Sequence, residues 1–177
     1  MQDVKRNLTT IMDFYELTMA AGYLEEGYED KISVFDMFFR KIPDGGGYAI
    51  MAGLDTFIDA VENLKFTDQD IEYLASTGVF NEKFLDYLRG FTLHCNIWAI
   101  PEGTPIFPQE PIVTVEGPSI ECQLLETLLL VTFNHQCLVA TKSNRIVRSA
   151  QGRPVMEFGA RRAQGYDAAV YGARAAY

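Results

Sequence analysis

The sequence predicts an α+β fold, in which helices combine with a small proline-rich β barrel or sandwich and are followed by the start of an α/β barrel. Apolar residues that recur at helical spacing indicate the helices, and β-forming runs between closely spaced prolines indicate the β part. Near the end of the chain an apolar run, a glycine and an alanine-rich stretch follow one another. This order is typical of one strand-and-helix unit of a parallel α/β sheet or barrel.

The change of pattern places a domain boundary after residue 152. We predict an amino-terminal α+β domain at residues 1–152, which contains a β subdomain at 91–118 and helices at 119–151. Residues 153–177 are predicted to form the first βα unit of an α/β barrel. Because one such unit cannot close a parallel sheet, we expect the sequence to be the front part of a longer protein.

The first predicted helix begins after Asp13. Asp13 and Glu16 have the spacing of a capping box, in which each side chain binds the backbone amide of the other residue. Gly27 supplies a stop signal. The apolar stripe between these signals consists of Phe14, Leu17, Ala21 and Leu24. Tyr15 lies in the first turn and points away from this stripe, so the residues alone favour a partly exposed tyrosine without a ligand role.

A dense β-forming run at residues 32–39 predicts a strand that is covered on both faces. The run ends at Arg40 and Lys41 and leads into a loop with three consecutive glycines at residues 45–47. Backbone amides of such a loop can approach a phosphate, and two neighbouring cations favour this interpretation. A flexible connector is the simpler explanation of the glycines alone.

The middle of the chain is predicted to form scaffold elements. Helices are expected at residues 53–63, 67–78, 81–89, 119–131 and 136–151. The fourth helix has a wide apolar stripe and should be buried on most sides. The last helix places Lys142 and Arg145 on one face, for which a solvated surface and a ligand contact are equally good explanations.

An aromatic residue and two cations come together near the end of the chain. A buried strand is predicted from the apolar residues Val155, Met156 and Phe158. Gly159 allows a tight turn, and Arg161 and Arg162 follow it. Ligands of α/β barrels lie at the carboxyl ends of the strands, which suggests a planar anion here. Surface arginines paired with carboxylates are an equally good interpretation.

The net charge of -9 is unevenly distributed, because the acidic excess lies in the first half and bases outnumber acids from Lys142 onward. A locally basic end on an acidic protein favours a small phosphorylated ligand over nucleic acid, which needs a broad basic face. Met1–Lys5 does not resemble the start of a signal peptide, and no run resembles an uninterrupted membrane span. We therefore expect a soluble, cytoplasmic protein.

The three cysteines show no paired spacing and are expected to be reduced, buried thiols: Cys95, Cys122 and Cys137. His94 and His135 have no partner at metal-ligand spacing, which argues against a zinc site.

Seven stretches of the sequence form long motifs in a fixed order. They read "MDFYELTMAAGY", "FFRKIPDGGGYAIMAGLD", "FLDYLRGF", "AIPEGTPIFPQEPIVTVEGP", "QLLETLLL", "LVATKSNRIV" and "PVMEFGARRAQG". In this order and at this spacing they resemble the nicotinate phosphoribosyltransferase family, over nearly the whole chain. The resemblance implies a hammerhead-like amino-terminal domain followed by a phosphoribosyltransferase barrel. The implied reaction joins nicotinate to 5-phosphoribosyl 1-diphosphate, gives nicotinate mononucleotide and diphosphate in NAD biosynthesis, and is coupled to ATP hydrolysis.

The same resemblance implies roles for particular residues. Phe158 would form one face of a slot for the pyridine ring, and Tyr15 of a second subunit would form the other. Arg161 lies where related enzymes hold the ring and its carboxylate, and Arg162 is a second cation there. Arg40 and Lys41 match a position that reaches phosphate across a homodimer with shared active sites.

ATP and Mg²⁺ are the implied cofactors, with sites expected outside this sequence. His94 and His135 do not match the family's phosphorylated histidine, so we assign no catalytic residue and no metal ligand to this chain, and we expect the 177 residues alone to be inactive. Two alternatives stay open. The protein is a related enzyme that uses nicotinamide or quinolinate, or it is a non-catalytic interaction module if the chain ends at Tyr177.

Overall fold

The computed structural model describes residues 7–177. The expectation about Met1–Lys5 lies outside the described residues. Within them, helices and strands mix along the chain, which confirms the α+β prediction. The elements are α1 (Phe14–Glu25), β1 (Ile32–Met37), β2 (Ala49–Ile50), α2 (Leu54–Glu62), α3 (Asp68–Ser76), α4 (Glu82–Arg89), β3 (Asn96–Ala99), β4 (Pro105–Ile106), β5 (Val113–Pro118), α5 (Ser119–Gln123), α6 (Glu126–Ala150) and α7 (Tyr166–Ala176), with 3₁₀ turns at Pro43–Gly45 and Ala160–Arg162.

The strands form two small sheets. In the first, β5 lies between β1 and β3, and in the second β2 pairs with β4. The second pair is antiparallel, with Ala49 opposite Ile106 and Ile50 opposite Pro105. Pro105 opens its strand, the position at which the missing N–H of proline interrupts a sheet least. Short strands between prolines are what the sequence predicts for residues 91–118.

The chain divides into two compact units that are interleaved in sequence. Of the described residues, the first contains 7–35, 57–97 and 115–129, and the second contains 36–56, 98–114 and 130–177. The predicted boundary after residue 152 stays a prediction. A buried apolar cluster fills the first unit, with contributions from α1, α3, α4 and α5. Its residues include Leu17, Ala20, Leu24, Ile71, Leu74, Phe84, Leu88, Ile120 and Leu124.

The capping box of α1 is confirmed. The Glu16 carboxylate accepts a hydrogen bond from the backbone N–H of Asp13 at 3.2 Å, and the reciprocal contact is also present. Gly27 has φ +72, the left-handed conformation that lets the chain leave the helix at little cost.

The predicted burial of two β-forming runs is wrong. The strand at residues 32–37 forms, but it lies at the edge of its sheet, and Ile32, Val34 and Phe35 are exposed. Residues 154–158 form no strand, and Val155, Met156 and Phe158 are exposed. A strand needs a neighbour to satisfy its backbone N–H and C=O groups, and among the described residues none pairs with this segment.

The last two helices predicted before residue 151 form with other limits: residues 119–123 form the short α5, and the longer α6 includes the gap that was expected between the two helices. α6 continues through residues 131–136 because this stretch contains no glycine or proline to interrupt it. The combined span Ser119–Ala150 is apolar and long enough to cross a membrane by length and composition, but half of its most apolar window is buried inside the protein. A core helix passes the same test, so this is weak evidence for a membrane span.

Candidate functional site

The segment around Phe158 presents an aromatic ring and two cations to solvent. The Phe158 side chain is 68% exposed, and Arg161 and Arg162 are exposed in the 3₁₀ turn that follows it. The turn is closed by the N–H of Arg162, which donates to the Gly159 carbonyl at 2.8 Å. Among residues 7–177, no carboxylate forms an ion pair with either arginine. This argues against the interpretation that both are surface arginines neutralised by acids.

A contact with a neighbouring side chain explains why position 159 is a glycine. Its φ of -80 is accessible to any residue, so the turn itself does not require glycine. The Glu157 carboxylate folds back onto the N–H of Gly159 and accepts its hydrogen bond. A Cβ at position 159 would lie 2.5 Å from Glu157 Oε1. Glycine therefore allows the Glu157 side chain to curl over the start of the arginine turn.

Tyr15 lies in the first unit, on the first turn of α1, with 43% of its surface exposed. A hydrogen bond to the Glu126 carboxylate raises the pKa of Tyr15 to about 12, so the hydroxyl is a donor at neutral pH. Glu126 also accepts from the Gln123 amide at 3.1 Å. Sequence reasoning missed Glu126, because nothing in the sequence shows that the first turns of α1 and α6 lie side by side.

Glu16, the residue after Tyr15, is fully buried. Its Oε1 accepts from the Thr127 hydroxyl and from the Asp13 amide, while Oε2 has no hydrogen-bond partner among residues 7–177. Burial raises the pKa of Glu16, because the charged form loses water that these donors replace only in part.

The two residues that are predicted to contact phosphate lie in the second unit. Arg40 and Lys41 are exposed in the stretch after β1. Asp44 in the following turn is 3.7 Å from Arg145 Nη1 and 3.8 Å from Lys142 Nζ, so both of these cations from α6 meet an acid of the loop. These ion pairs give Lys142 and Arg145 a role that the sequence left undecided.

Gly46 of the same loop leaves room for the Arg145 guanidinium. A Cβ at position 46 would lie 1.8 Å from Arg145 Nη2, an atom that is buried and has no hydrogen-bond partner in the described part of the chain. The glycine-rich loop thus covers the side chain of an arginine. The hypothesis that this loop binds phosphate did not predict that role.

Neither of two surface cavities is lined by a predicted site residue. A cavity of about 730 Å³ in the first unit is lined by residues that include Lys65, Arg89 and Cys95. A cavity of about 530 Å³ in the second unit is lined by residues that include Glu102 and Arg174. Within residues 7–177, no three His, Cys, Asp or Glu side chains gather as metal ligands.

A family model matches residues 10–134 of the chain, and it describes the nicotinate phosphoribosyltransferase (NAPRTase) N-terminal domain. Nicotinate phosphoribosyltransferase pncB2 of Mycobacterium tuberculosis is 46% identical over 165 residues, which are 93% of this chain and 35% of the relative. The Bacillus subtilis nicotinate phosphoribosyltransferase is 43% identical over 170 residues, 96% of this chain and 35% of the relative. The chain thus spans about a third of the length of these curated relatives.

Solved structures agree with these matches. The crystal structure of human nicotinic acid phosphoribosyltransferase superposes with a TM-score of 0.86 at 35% identity, over 94% of this chain and 34% of the human chain. A nicotinate-nucleotide pyrophosphorylase from Pyrococcus furiosus gives a TM-score of 0.72 at 23% identity, over 97% of this chain and 36% of that chain. The second likeness concerns the fold alone.

Proposed function

Because the chain belongs to the nicotinate phosphoribosyltransferase family, matched through its N-terminal domain, we propose that the protein acts in NAD biosynthesis. The proposed reaction forms nicotinate mononucleotide and diphosphate from nicotinate and 5-phosphoribosyl 1-diphosphate, with ATP hydrolysis. We place this activity in the cytoplasm.

The chemistry requires positioning and cations more than a protein nucleophile. Displacement at the anomeric carbon builds positive charge on the ribose and negative charge on the departing diphosphate. The heterocycle must be held with its ring nitrogen facing that carbon. A flat anionic ring is held well by aromatic faces and by a guanidinium that binds its carboxylate through two hydrogen bonds.

The observation that carries the proposal is the exposed Phe158 beside two arginines that have no ion-pair partner among the described residues. In the proposed site Phe158 stacks on one face of the pyridine ring. Arg161 binds the carboxylate of nicotinate, and Arg162 adds a second positive charge.

Tyr15 of a second subunit is proposed to cover the other face of the ring. Its exposure on the first turn of α1 supports this role, because 43% of its surface is accessible to a separate molecule. Arg40 and Lys41 are proposed to reach phosphate across the same dimer. Their exposure is consistent with contact to a separate molecule.

The finer architecture is part of the proposal. We assign residues 1–152 to a hammerhead-like α+β domain and residues 153–177 to the first βα unit of an α/β barrel. In that unit α7 is the helix, and the segment 154–158 occupies the position of the strand.

Mg²⁺ would neutralise charge on the diphosphate when bound, and ATP would drive the reaction forward. The described residues contain no cluster of three metal ligands, so no residue of this chain is assigned to the metal. In the proposal, residues of this chain bind the heterocycle and contribute part of the phosphate-binding site.

A competition assay tests the proposal. The full-length gene product, given 5-phosphoribosyl 1-diphosphate, Mg²⁺ and ATP, should convert nicotinate to its mononucleotide in preference to nicotinamide or quinolinate. The loss of each of the three heterocycles is quantified by chromatography with all three present together. Equal or better use of nicotinamide or quinolinate would assign the protein to the related enzymes, and the absence of any mononucleotide would favour a non-catalytic module.

A further inference from the structure

We propose that Cys95 and Cys122 form a reversible intramolecular disulfide, so that this pair is a site of oxidative modification. Their sulfur atoms lie 3.6 Å apart in the first unit, and both thiols are free in the structure. A disulfide bond is about 2.05 Å long. The two sulfurs must therefore approach by about 1.5 Å for the bond to form.

The surrounding residues hold the two cysteines face to face. The buried Glu121 carboxylate accepts from the backbone N–H of His94 and lies 3.0 Å from Nδ1 of the same residue. The residues that precede the two cysteines are thereby tied together. A Cβ at position 117 would lie 2.6 Å from Cys95 Sγ and 2.9 Å from Cys95 Cα, so only glycine leaves room for Cys95 here.

An oxidant can reach the pair from one side. Cys95 is half-buried and lines the cavity of about 730 Å³, together with Lys65 and Arg89. Cys122 is 4% exposed and lies behind it. Cys137 differs from both, because it is fully buried in the second unit and its thiol donates to the Ala52 carbonyl at 3.3 Å.

The hydrogen bond between the two sulfurs prepares one of them for reaction. The Cys95 thiol lowers the pKa of Cys122, because its S–H stabilises the Cys122 thiolate. For comparison, burial raises the pKa of Cys137 to about 11.

The oxidation balances with hydrogen peroxide as the oxidant. The thiolate of one cysteine attacks one peroxide oxygen, the O–O bond breaks, and hydroxide leaves, which gives a sulfenic acid at that cysteine. The sulfur of the second cysteine then attacks the sulfur of the first, the S–O bond breaks, and the hydroxyl leaves as water with the proton of the second thiol. In total two thiols and one peroxide give one disulfide and two waters, and a dithiol reductant reverses the change.

The test treats the purified protein with millimolar hydrogen peroxide, blocks the remaining thiols with an alkylating agent, and maps the peptides by mass spectrometry. We expect a monomeric product with one peptide pair joined through Cys95 and Cys122, alkylation of Cys137 alone once the chain is denatured, and full recovery of three thiols after reduction. The crosslink closes a loop across 27 positions, so the oxidised form should also unfold at higher denaturant concentration.

Two variants complete the experiment. Cys137→Ser should form the crosslink as the unchanged protein does, whereas Cys122→Ser should form no intramolecular disulfide. The peptide map of the unchanged protein tests the proposal without the variants. A variant that misfolds therefore does not change the conclusion. Equal alkylation of Cys95 and Cys122 after peroxide, overoxidation without a crosslink, or a disulfide that involves Cys137 or a second chain would overturn the proposal.

Discussion

At the scale of single residues, Phe158 shows how exposure changes an interpretation. Its place in an apolar run predicts burial, yet its side chain is 68% exposed. A largely exposed aromatic ring is still in contact with water, and one of its faces is therefore free to stack on a ligand. Its neighbours Arg161 and Arg162 keep their charges in solvent, where neither has been neutralised by a described carboxylate.

Replacement of one arginine tests this arrangement. Arg161→Ala in the full-length gene product should weaken nicotinate capture by about 2 to 4 kcal/mol, because the carboxylate of nicotinate loses its charged partner. The measurement is kcat/KM for nicotinate. Arg153→Ala is the matched control, since Arg153 is an exposed arginine nearby whose guanidinium donates to the Ala150 carbonyl at 3.2 Å. Unchanged nicotinate kinetics in Arg161→Ala would exclude the assigned role.

At the scale of elements, the helices follow local signals and the strands depend on neighbours. The residues that cap α1, α3 and α4 are direct neighbours in sequence of the helices that they cap. In α3, for example, the Thr67 hydroxyl accepts from the Asp70 amide at 3.2 Å. Strand burial depends on what lies across the sheet. The run at 32–37 is apolar enough for a central strand but occupies an edge.

Replacement of glycine by alanine is expected to change the free energy of unfolding in opposite directions at two positions. Gly117→Ala should lower the free energy of unfolding by about 1 to 3 kcal/mol, because the new methyl group meets Cys95 in a packed region. Gly22→Ala should raise it by about 1 kcal/mol, because Gly22 lies within α1 with no atom in the way and alanine favours helix. Urea denaturation of both variants checks this. The same sign for both would contradict the assigned contacts.

At the scale of the whole molecule, Glu102 joins distant parts of the second unit. Its carboxylate accepts from the backbone N–H groups of Gly53 and Leu54 at 2.5 and 2.8 Å, and from Arg174 Nη2 at 2.9 Å. Burial alone would raise the pKa of Glu102, but the Arg174 guanidinium and the two amides outweigh it and lower the pKa.

This junction predicts a pH dependence of stability. A carboxyl whose pKa is lower in the folded state contributes stability above its unfolded pKa, about 4.3, and loses that contribution as the pH falls through the lower folded value. Glu102→Gln should therefore cost about 1 to 3 kcal/mol at pH 7, and the difference from the unchanged protein should shrink in acid. Denaturation at neutral and acidic pH measures it.

Asp55→Asn is the matched control for Glu102→Gln. Asp55 lies 3.3 Å from Arg174 Nη2 but is exposed, so its loss should change stability little at either pH. A difference for Glu102→Gln that stayed constant or grew on acidification would show that the ionised form of Glu102 does not hold the junction.

The sequence by itself determined the family, the α+β class and the limits of most helices, because caps, periodicity and long motifs act over a few residues. It placed Phe158, Arg161 and Arg162 on one turn for the same reason. Only the tertiary structure decided which apolar runs are covered, that Glu126 lies close to Tyr15, that Arg145 lies under Gly46, and that Cys95 faces Cys122. These contacts join residues far apart in the chain, and local pattern carries no information about which distant surface a side chain will meet.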